Sequence, residues 1–326
     1  MELAARILGP DDAPAVAALF DSSARRLPQH PGLAGAVSGD GALRQAGVFR
    51  GDSLVMAASF TERRGRAGVA WISPLFTPWC GPLVAREHEG DNPAAEKLRR
   101  EGLEALARLV RASVPRAGII LPPRWDDARG LAWGGWKLRL HYTMTSRWEA
   151  EGAWRDDVEG PARRQARKAS DAGIHAVVLE VRQTEALCRL WNSTAARQGL
   201  EASLATSLAR LGAWLGTEAN GFVIEARDST GNAQAAALIG WDDARVYYLA
   251  GASDADALGS GAPTLLHLAV LEEIDRRGLP RCYDWVGGNN EGVARFKRRL
   301  GARPEALAAG EWRSRWARML ELLRHA

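Results

Sequence analysis

Two stretches of the chain carry the same succession of apolar and polar positions. In each stretch a short apolar segment is followed by a polar turn and then by a longer apolar segment. Apolar segments of about four to eight residues bounded by turn residues predict two strands joined by a tight turn. The predicted strands are 47–50 and 53–60 in the first stretch and 221–225 and 233–241 in the second.

The elements that follow these strands also match. Residues 69–75 and 245–249 predict a third strand in each half, and a loop containing glycine and proline comes next. A helix is then expected, because Asn92 can cap a helix that has Pro93 at its first position, and Pro263 can open the corresponding helix in the second half. Gly278 is expected to end that second helix.

A buried strand is predicted after each helix, at 118–121 and at 281–286. Each is followed by a polar loop, a short helix, a glycine and a last strand. The order β-β-β-α-β-α-β therefore occurs twice, at an offset of about 170 residues.

The repeat predicts two tandem domains of a mixed α/β fold. We place the boundary near residue 150, after Trp148, which gives domains of 1–150 and 151–326 in a chain of 326 residues. A charged helix over 155–171, ended by Gly173, is expected to join the two halves.

Composition narrows the classes of protein that are possible. Apolar residues make up 46% of the chain and charged residues 25%, which is typical of globular domains rather than disordered segments. No apolar run is long enough to span a membrane and the first residues do not resemble a secretory signal, so we expect a cytoplasmic protein. The net charge of +4 suits an anionic ligand, and three widely separated cysteines predict neither a disulfide framework nor a metal site.

Four segments resemble one known group of enzymes. They are Arg163–Ala169, which is a basic run before Gly173; 247–253, which reads Tyr-Tyr-Leu-Ala-Gly-Ala-Ser; 279–288, which contains Tyr-Asp-Trp before paired glycines; and 295–301, which contains Phe-Lys before Leu-Gly. Together with Trp79–Pro82 and 127–136 in the first half, they are similar to the FemAB-like and CelD/BcsL-like acyltransferases of the GNAT superfamily. The resemblance implies a tandem GNAT fold and transfer of acyl groups to amines. It implies acyl-CoA or aminoacyl-tRNA as co-substrate, with no tightly bound cofactor.

Lys297 is the first catalytic candidate. It belongs to a run of five basic residues within nine positions that has no intervening acid, namely Arg295, Lys297, Arg298, Arg299 and Arg303. A cation at the acyl carbonyl would stabilise the oxyanion of the tetrahedral intermediate, or it could hold a phosphate of the donor. The resemblance implies a functional lysine at this position and a neighbouring Phe296. A solvated helix face is the alternative.

Asp284 is the second catalytic candidate, because it ends a predicted buried strand, where side chains face the cleft of an open α/β sheet. Its carboxylate could accept a proton from the attacking ammonium. It could also be a structural acid that caps the following loop, in which Asn289 and Asn290 are turn residues before they are ligands.

Substrate or donor binding is expected at three places. Gly259 and Gly261 precede a helix whose amides could hold an anion, although the residues before them lack the Gln or Arg of CoA-binding loops and include two acids. Tyr248 and Ser253 flank the end of the third strand, where an acceptor could lie, although Tyr248 could equally be a packing residue. The basic run could pair with phosphate or carboxylate groups through Arg163, Arg164, Arg167 and Lys168.

The sequence thus predicts an N-acyltransferase in which an amine attacks an activated acyl group directly. The acceptor is expected to be a small molecule or a cell-envelope component, with tRNA as a possible donor carrier. The first domain, which lacks a charged site, is expected to shape the acceptor side. The alternative is a non-catalytic ligand- or RNA-binding protein that keeps the fold.

Overall fold

The computed structural model of the protein describes residues 2–39, 41–65, 68–198 and 204–319, without the side chains of 195–198, 256 and 258. The chain divides into two compact units. Unit 1 consists of Met1–His141 and Ala306–Ala326, and unit 2 consists of Tyr142–Glu305.

Unit 1 contains a sheet whose strands lie in the order β1-β2-β3-β4-β6-β13, with β5 against β3. Its strands are β1 (Leu3–Leu8), β2 (Leu43–Arg50), β3 (Ser53–Gly65), β4 (Gly68–Ile72), β5 (Leu83–Val84), β6 (Arg116–Ile120), the start of β7 (Lys137–Arg147) and most of β13 (Arg303–Arg313). Its helices are α1 (Ala13–Asp21), α2 (Pro31–Ser38), α3 (Pro93–Ser113) and α4 (Arg129–Trp133).

Unit 2 contains a sheet in the order β7-β12-β11-β10-β9-β8. Its own strands are β8 (His175–Glu180), β9 (Gly221–Arg227), β10 (Ala233–Trp241), β11 (Val246–Ser253) and β12 (Cys282–Asp284). Its helices are α5 (Trp154–Asp157), α6 (Gly160–Asp171), α7 (Glu185–Gln198), α8 (Leu204–Glu218), α9 (Ala262–Arg276) and α10 (Glu291–Arg299).

The predicted repeat is confirmed. Apart from the two-residue strand β5, which lies between β4 and α3, the run β2-β3-β4-α3-β6-α4-β7 and the run β9-β10-β11-α9-β12-α10-β13 have the same order of strands and α-helices. In each run three antiparallel strands are followed by a helix and then by a strand parallel to the third. Sequence analysis missed the strand and helices that precede each run, which are β1, α1 and α2 in the first half and β8, α7 and α8 in the second.

The last strands of the two halves are exchanged between the units. The end of β7, which closes the first half of the sequence, pairs with β12 in unit 2 through Arg147, Ser146 and Thr145. The end of β13, which closes the second half, pairs with β6 in unit 1 over residues 309–313. The compact units therefore differ from the expected domains of 1–150 and 151–326, because backbone pairing assigns each last strand to the other half.

The predicted charged helix over 155–171 is also different in the structure. It consists of α5 and α6, which are separated by extended residues Val158 and Glu159. Pro161 explains the break, since it has no backbone N–H to donate to the preceding turn and its ring clashes with a continuous helix. Gly173 follows α6 with a φ of +85°, as a helix-ending glycine does.

Helix α9 packs on the sheet of unit 2 and fixes the strand end where the candidate residues lie. Leu266, Val270, Leu271 and Ile274 are buried against the apolar face of β9 and β10. Full burial of each such side chain contributes about 1.5–3 kcal/mol. In unit 1, Asn92 caps α3 as predicted, with its side chain accepting a hydrogen bond from Ala95 N at 2.9 Å.

Two further features bear on the sequence predictions. Among the described residues, no helix combines the length and the apolar character needed to cross a membrane. The described part of the chain also contains no group of three or more His, Cys, Asp or Glu side chains arranged to hold a metal ion.

The exchanged strand leads to a prediction about truncated chains. A fragment of residues 151–326 lacks the end of β7, whose Ser146 hydroxyl accepts a hydrogen bond from Trp285 Nε1 at 2.8 Å and whose Thr143 contacts Asp284. We expect this fragment to lose cooperative thermal unfolding, because β12 loses its β7 neighbour, the buried Trp285 N–H loses its acceptor and the buried Asp284 carboxylate loses one of its donors. Tyr142–Glu305 should retain it, and circular dichroism melts of the two fragments make the comparison. If residues 151–326 unfold cooperatively with the same melting temperature as Tyr142–Glu305, this explanation is wrong.

Candidate active site

Strands β11 and β12 diverge inside unit 2. They pair in parallel only through Val246 with Tyr283 and Tyr247 with Asp284. Beyond this point β11 stays with β10, and a register irregularity at Leu249 bends it away. The chain after β12 instead follows β7, since Trp285 N donates to Met144 O and Gly288 N donates to Tyr142 O. The two strands therefore separate at the carboxyl end of β12, and we call this separation the opening. Ligands bind at such strand ends in open α/β sheets.

The turn that leaves β12 has an uncommon backbone conformation. Val286 has a φ of +53° and Gly287 a φ of +48°. The left-handed region is unfavourable for a β-branched residue, and such a residue costs about 1–3 kcal/mol. The turn persists only because surrounding groups hold it, and the structure shows two that do so, Asp284 and Lys297.

Lys297 binds the carbonyl side of this turn. Its ammonium donates hydrogen bonds to Trp285 O at 2.7 Å and to Gly287 O at 2.9 Å. It also donates to the carbonyl oxygen of Val286, the residue between these two in the chain. The side chain is 5% exposed. Burial lowers the pKa of Lys297 to about 8, although the nearby Asp284 charge acts in the opposite direction. All three ammonium protons are therefore donated to backbone carbonyls in a buried position.

Asp284 binds the amide side of the same turn. Its Oδ1 accepts hydrogen bonds from the Thr143 hydroxyl and from Val286 N, and its Oδ2 lies 3.3 Å from Arg245 Nη1. Arg245 also makes a two-pronged ion pair with Glu305 at 2.8 and 2.9 Å. Burial raises the pKa of Asp284, while the Thr143 hydrogen bond and the Arg245 charge oppose that rise. Its side chain is 0% exposed, so the carboxylate does not face an open cleft as the sequence suggested.

An aromatic cluster surrounds the Lys297 side chain, and its members are Tyr248, His267, Tyr283, Trp285 and Phe296. The His267 ring lies at its centre, 4.8 Å from the Trp285 ring and 4.9 Å from the Tyr248 ring. Burial, together with the Lys297 charge, lowers the pKa of His267 to about 3, so its imidazole is neutral near pH 7. The Lys297 ammonium lies 5.6 Å from the Tyr248 ring centroid, within range of a cation–π interaction.

The strand motif that contains Tyr248 now has a physical explanation. A Cβ placed on Gly251 would lie 1.8 Å from the Tyr248 hydroxyl oxygen, so only glycine leaves room for that phenol. Ser253, three residues before the next turn, pairs with Ala235, and its carbonyl accepts from the Thr194 hydroxyl at 3.2 Å. Tyr248 thus lies beside the opening, whereas the backbone of Ser253 is engaged by β10 and α7.

The loop before α9 has few amides open to an anion. Gly259 lies in a short turn and Gly261, with a φ of +85°, precedes the helix. The Ala262 N–H is bonded to the Ser260 hydroxyl at 3.2 Å, and Pro263 has no N–H. Helix α6 packs against this end of α9, with the Thr264 hydroxyl bonded to Gln165 at 3.1 Å.

The basic run lies on the exposed face of α6. Ala162, Ala166 and Ala169 are buried toward unit 2, whereas the side chains of Arg163, Arg164, Arg167 and Lys168 are exposed. Lys168 is one helical turn from Gln165, and Arg164 is one turn from Lys168. Lys168 is thus the basic residue of α6 that lies one turn from the side chain touching the start of α9, and Arg164 lies one turn further toward the beginning of α6.

The other predicted site residues have different surroundings. Asn289 uses its side chain to pair with the backbone N and O of Tyr142, both at 3.0 Å, and Asn290 caps α10 through Val293 N at 3.2 Å. Phe296 packs in the aromatic cluster. Arg298 and Arg299 are exposed on α10, so Lys297 is the member of this basic run that the protein buries.

Sequence reasoning missed Thr143, Arg245 and the central position of His267. Thr143 is on β7, more than a hundred residues before Asp284, and no local pattern connects the two. Arg245 follows a polar turn and resembles any strand-flanking arginine. His267 alone carried a signal, since it is a histidine on the apolar face of a helix, but a structural role explained that equally well.

Unit 1 has the same divergence of strands, yet its own chain occupies the opening. Strands β4 and β6 pair only through Ala70 with Arg116 and Trp71 with Ala117. Beyond them the free edge of β6 is covered, because Ile120 O accepts from Cys80 N at 3.4 Å and Ile120 N donates to Ser73 Oγ at 3.2 Å. The same loop buries Trp79 to 2% exposure.

Comparison with known proteins agrees with this architecture. Residues 160–298 match the family model of the acetyltransferase (GNAT) domain. No curated protein matches the chain.

Solved structures of the same fold cover nearly the whole chain. FemX is 12% identical, with a TM-score of 0.61 over 93% of this chain and 96% of its own. A tandem GNAT protein from the clavulanic acid biosynthesis pathway is 15% identical, with a TM-score of 0.57 over 95% and 98%. L-PGS from Bacillus licheniformis is 10% identical, with a TM-score of 0.55 over 97% and 94%.

At these identities the likeness establishes the fold, and the family match covers the segment that contains the opening, the basic helix and Lys297. Residues 160–298 thus match the acetyltransferase (GNAT) domain, the chain as a whole has the tandem GNAT fold, and these findings support an acyltransferase.

Proposed function

We propose that this N-acyltransferase transfers an acyl group from acyl-CoA to the amine of a small molecule or cell-envelope component, in the opening between β11 and β12. The observation that carries the proposal is the divergence of these strands beside the turn held by Lys297, inside the segment that matches the GNAT family. Aminoacyl-tRNA is the other donor to be tested, because the loop before α9 departs from the usual pyrophosphate cradle.

The reaction needs no covalent enzyme intermediate. A neutral amine attacks the acyl carbon, a C–N bond forms, and the carbonyl electron pair moves to oxygen. Collapse of this intermediate breaks the C–S bond and releases the thiolate, while the nitrogen loses its proton to solvent or to the leaving group. Rate acceleration then comes from positioning and from stabilising the oxyanion.

We assign complementary roles to the two buried charges. Lys297 supplies the positive charge that stabilises the oxyanion, and Asp284 positions the turn by binding Val286 N and Arg245. The buried Asp284 carboxylate contacts Thr143 and Arg245 rather than an open surface, which favours this role over proton abstraction.

The donor phosphates are assigned to α6. The first turn of α9 offers few free amides, whereas Lys168 and Arg164 are exposed on α6, the helix that packs against that turn through Gln165, and can supply charge-assisted hydrogen bonds. Arg163 and Arg167 extend the same basic face. Because the corresponding opening of unit 1 is covered by its own loop, we assign one donor site to each chain and an acceptor-shaping role to unit 1.

A donor screen tests the function directly. Purified protein is incubated with a mixture of acyl-CoAs and amines, or with aminoacyl-tRNA and the same amines, and products are detected by mass spectrometry. We expect amide product with equimolar release of CoA. Product with charged tRNA alone, with an affinity that falls steeply as salt rises, would transfer the donor role to tRNA. Absence of product with every donor would favour a non-catalytic binding protein.

Replacement of Lys297 by Met tests the buried cation. We expect kcat to fall by about 10²- to 10³-fold with little change in the KM for donor, because the charge acts on the transition state. Arg298→Met, on the exposed face of the same helix, is the matched control and should keep full activity. Wild-type kcat in Lys297→Met would contradict the assignment.

The pH dependence gives a second test of Lys297. With a pKa of about 8, the wild-type side chain loses its charge as pH rises, so kcat should fall through that value, and Lys297→Met should not show this step. Unfolding does not account for such a fall. The folded pKa lies below the ordinary 10.5, so the folded state releases this proton first and gains stability as pH rises from 8 to 10.5. A wild-type kcat that is flat across this range would contradict the assignment.

The basic face of α6 is tested by the double variant Arg164→Ala/Lys168→Ala. We expect the KM for acyl-CoA to rise about tenfold at low salt with kcat unchanged, and the difference to shrink at high salt because exposed charges are screened. Arg164→Lys/Lys168→Arg keeps both charges and should retain a KM close to that of the wild type. An unchanged KM in the alanine variant would place the donor phosphates elsewhere.

A further inference from the structure

The three peptide groups from Trp285 to Gly288 have their carbonyls on one side, where Lys297 binds them. In a planar trans peptide the C=O and the N–H point in opposite directions. The N–H groups of Val286, Gly287 and Gly288 therefore lie on the side of the turn away from the ammonium.

Two of these three N–H groups have partners. Val286 N donates to the Asp284 carboxylate at 2.9 Å, and Gly288 N donates to Tyr142 O at 3.0 Å. Within the described part of the chain, the Gly287 N–H has no acceptor, and Gly287 is partly exposed. A partly buried backbone donor without a protein partner is available to a ligand or to water.

The position of the Gly287 N–H is fixed by Lys297 on the carbonyl side of the turn and by Asp284 on the amide side. Its peptide carbonyl is Val286 O, the middle one of the three that Lys297 binds, and a cation on the carbonyl of a peptide strengthens the N–H as a donor. The left-handed conformations of Val286 and Gly287 are what bring the three carbonyls together and turn the Gly287 N–H outward. The groups that orient the Gly287 N–H, Lys297 and Asp284, therefore also hold the strained backbone of the turn in place.

We propose that the Gly287 N–H is the oxyanion donor of the acyl-transfer reaction, and that Lys297 acts on the oxyanion through the Val286–Gly287 peptide rather than by direct contact. The inference rests on the proposed function. It follows from the fact that all three Lys297 protons are already donated to carbonyls, whereas this N–H is not used.

The chemical step is the addition described above. As the amine lone pair forms the C–N bond, the carbonyl π electrons move to oxygen, and that oxygen accepts a hydrogen bond from Gly287 N–H. When the C–S bond breaks, the electron pair returns to form the amide carbonyl and the hydrogen bond weakens. Gly287 gives up no proton, and Lys297 remains an ammonium throughout.

The test replaces the Gly287 amide with an ester, so that the N–H is lost and the backbone keeps its shape. Cys282 allows this, because a chain of residues 1–281 ending in a thioester can be ligated to a synthetic 282–326 peptide that carries glycolic acid at position 287. The full chain is then refolded and assayed with the acyl-CoA and amine that the unmodified ligated chain uses. We expect kcat to fall by about 10²-fold or more with the KM for acyl-CoA unchanged, the effect of removing one oxyanion donor.

The matched control carries the ester at Gly288. An ester carbonyl is a weaker hydrogen-bond acceptor than an amide carbonyl. Each ester therefore weakens one carbonyl that Lys297 binds, Val286 O in the first chain and Gly287 O in the control. The control differs in that the N–H it removes is already bonded to Tyr142 O. We expect this chain to melt at a lower temperature and to keep kcat within about fivefold of the unmodified chain, because no oxyanion contact is lost. An equal loss of kcat in both ester chains would overturn the proposal.

Combining the Gly287 ester with Lys297→Met separates action through the peptide from direct contact. If Lys297 works through this peptide, the double change lowers kcat little beyond the larger single change. Losses that multiply, or a Gly287 ester that retains wild-type kcat, would overturn the inference and leave the proposed function intact. No transfer by the unmodified ligated chain, with any donor, would refute the proposed function itself and the inference with it.

Discussion

The contact between one buried ammonium and three successive backbone carbonyls organises the candidate site. Lys297 compensates for its loss of hydration with the carbonyls of Trp285, Val286 and Gly287, and in doing so it holds a turn that a valine would otherwise avoid. A buried charge is tolerated only when it is paired or fully hydrogen-bonded, so the lysine and the turn require each other. Removing either one leaves a buried charge or unsupported backbone strain.

The surrounding structure serves this contact from several elements. Asp284 holds the amide of Val286 on the opposite side, and Arg245 shares its charge between Asp284 and Glu305. The aromatic cluster excludes water from the lysine stem, which is why the neighbouring His267 is neutral near pH 7. Gly251 leaves room for Tyr248 to lie over the ammonium. Polar and apolar contacts thus act together, because the low polarity around Lys297 strengthens its hydrogen bonds.

The same scaffold occurs in both units with different outcomes. In each, a third strand and a parallel partner pair over two residues and then separate. In unit 2 the separation remains beside Lys297, whereas in unit 1 Ser73 and Cys80 take up the edge of β6. A repeat of elements therefore does not imply a repeat of sites, since a loop that satisfies the free edge removes the place where a ligand could bind.

Local patterns in the sequence determined the repeat, the strand and helix order and the position of a lysine in the final basic run, because periodicity, caps and turn residues act over a few neighbours. They also marked Asp284 as a residue at a strand end, whereas Tyr248, expected near the end of a strand over 245–249, lies inside β11 because that strand continues to Ser253.

Only the tertiary structure decided which last strand belongs to which unit, that Thr143 and Arg245 bind Asp284, and that the Lys297 protons are bound to backbone carbonyls. These depend on residues that are far apart in the chain and on backbone carbonyls, which every residue has. No spacing or residue type in the sequence distinguishes a carbonyl that binds a cation from one that pairs in a strand.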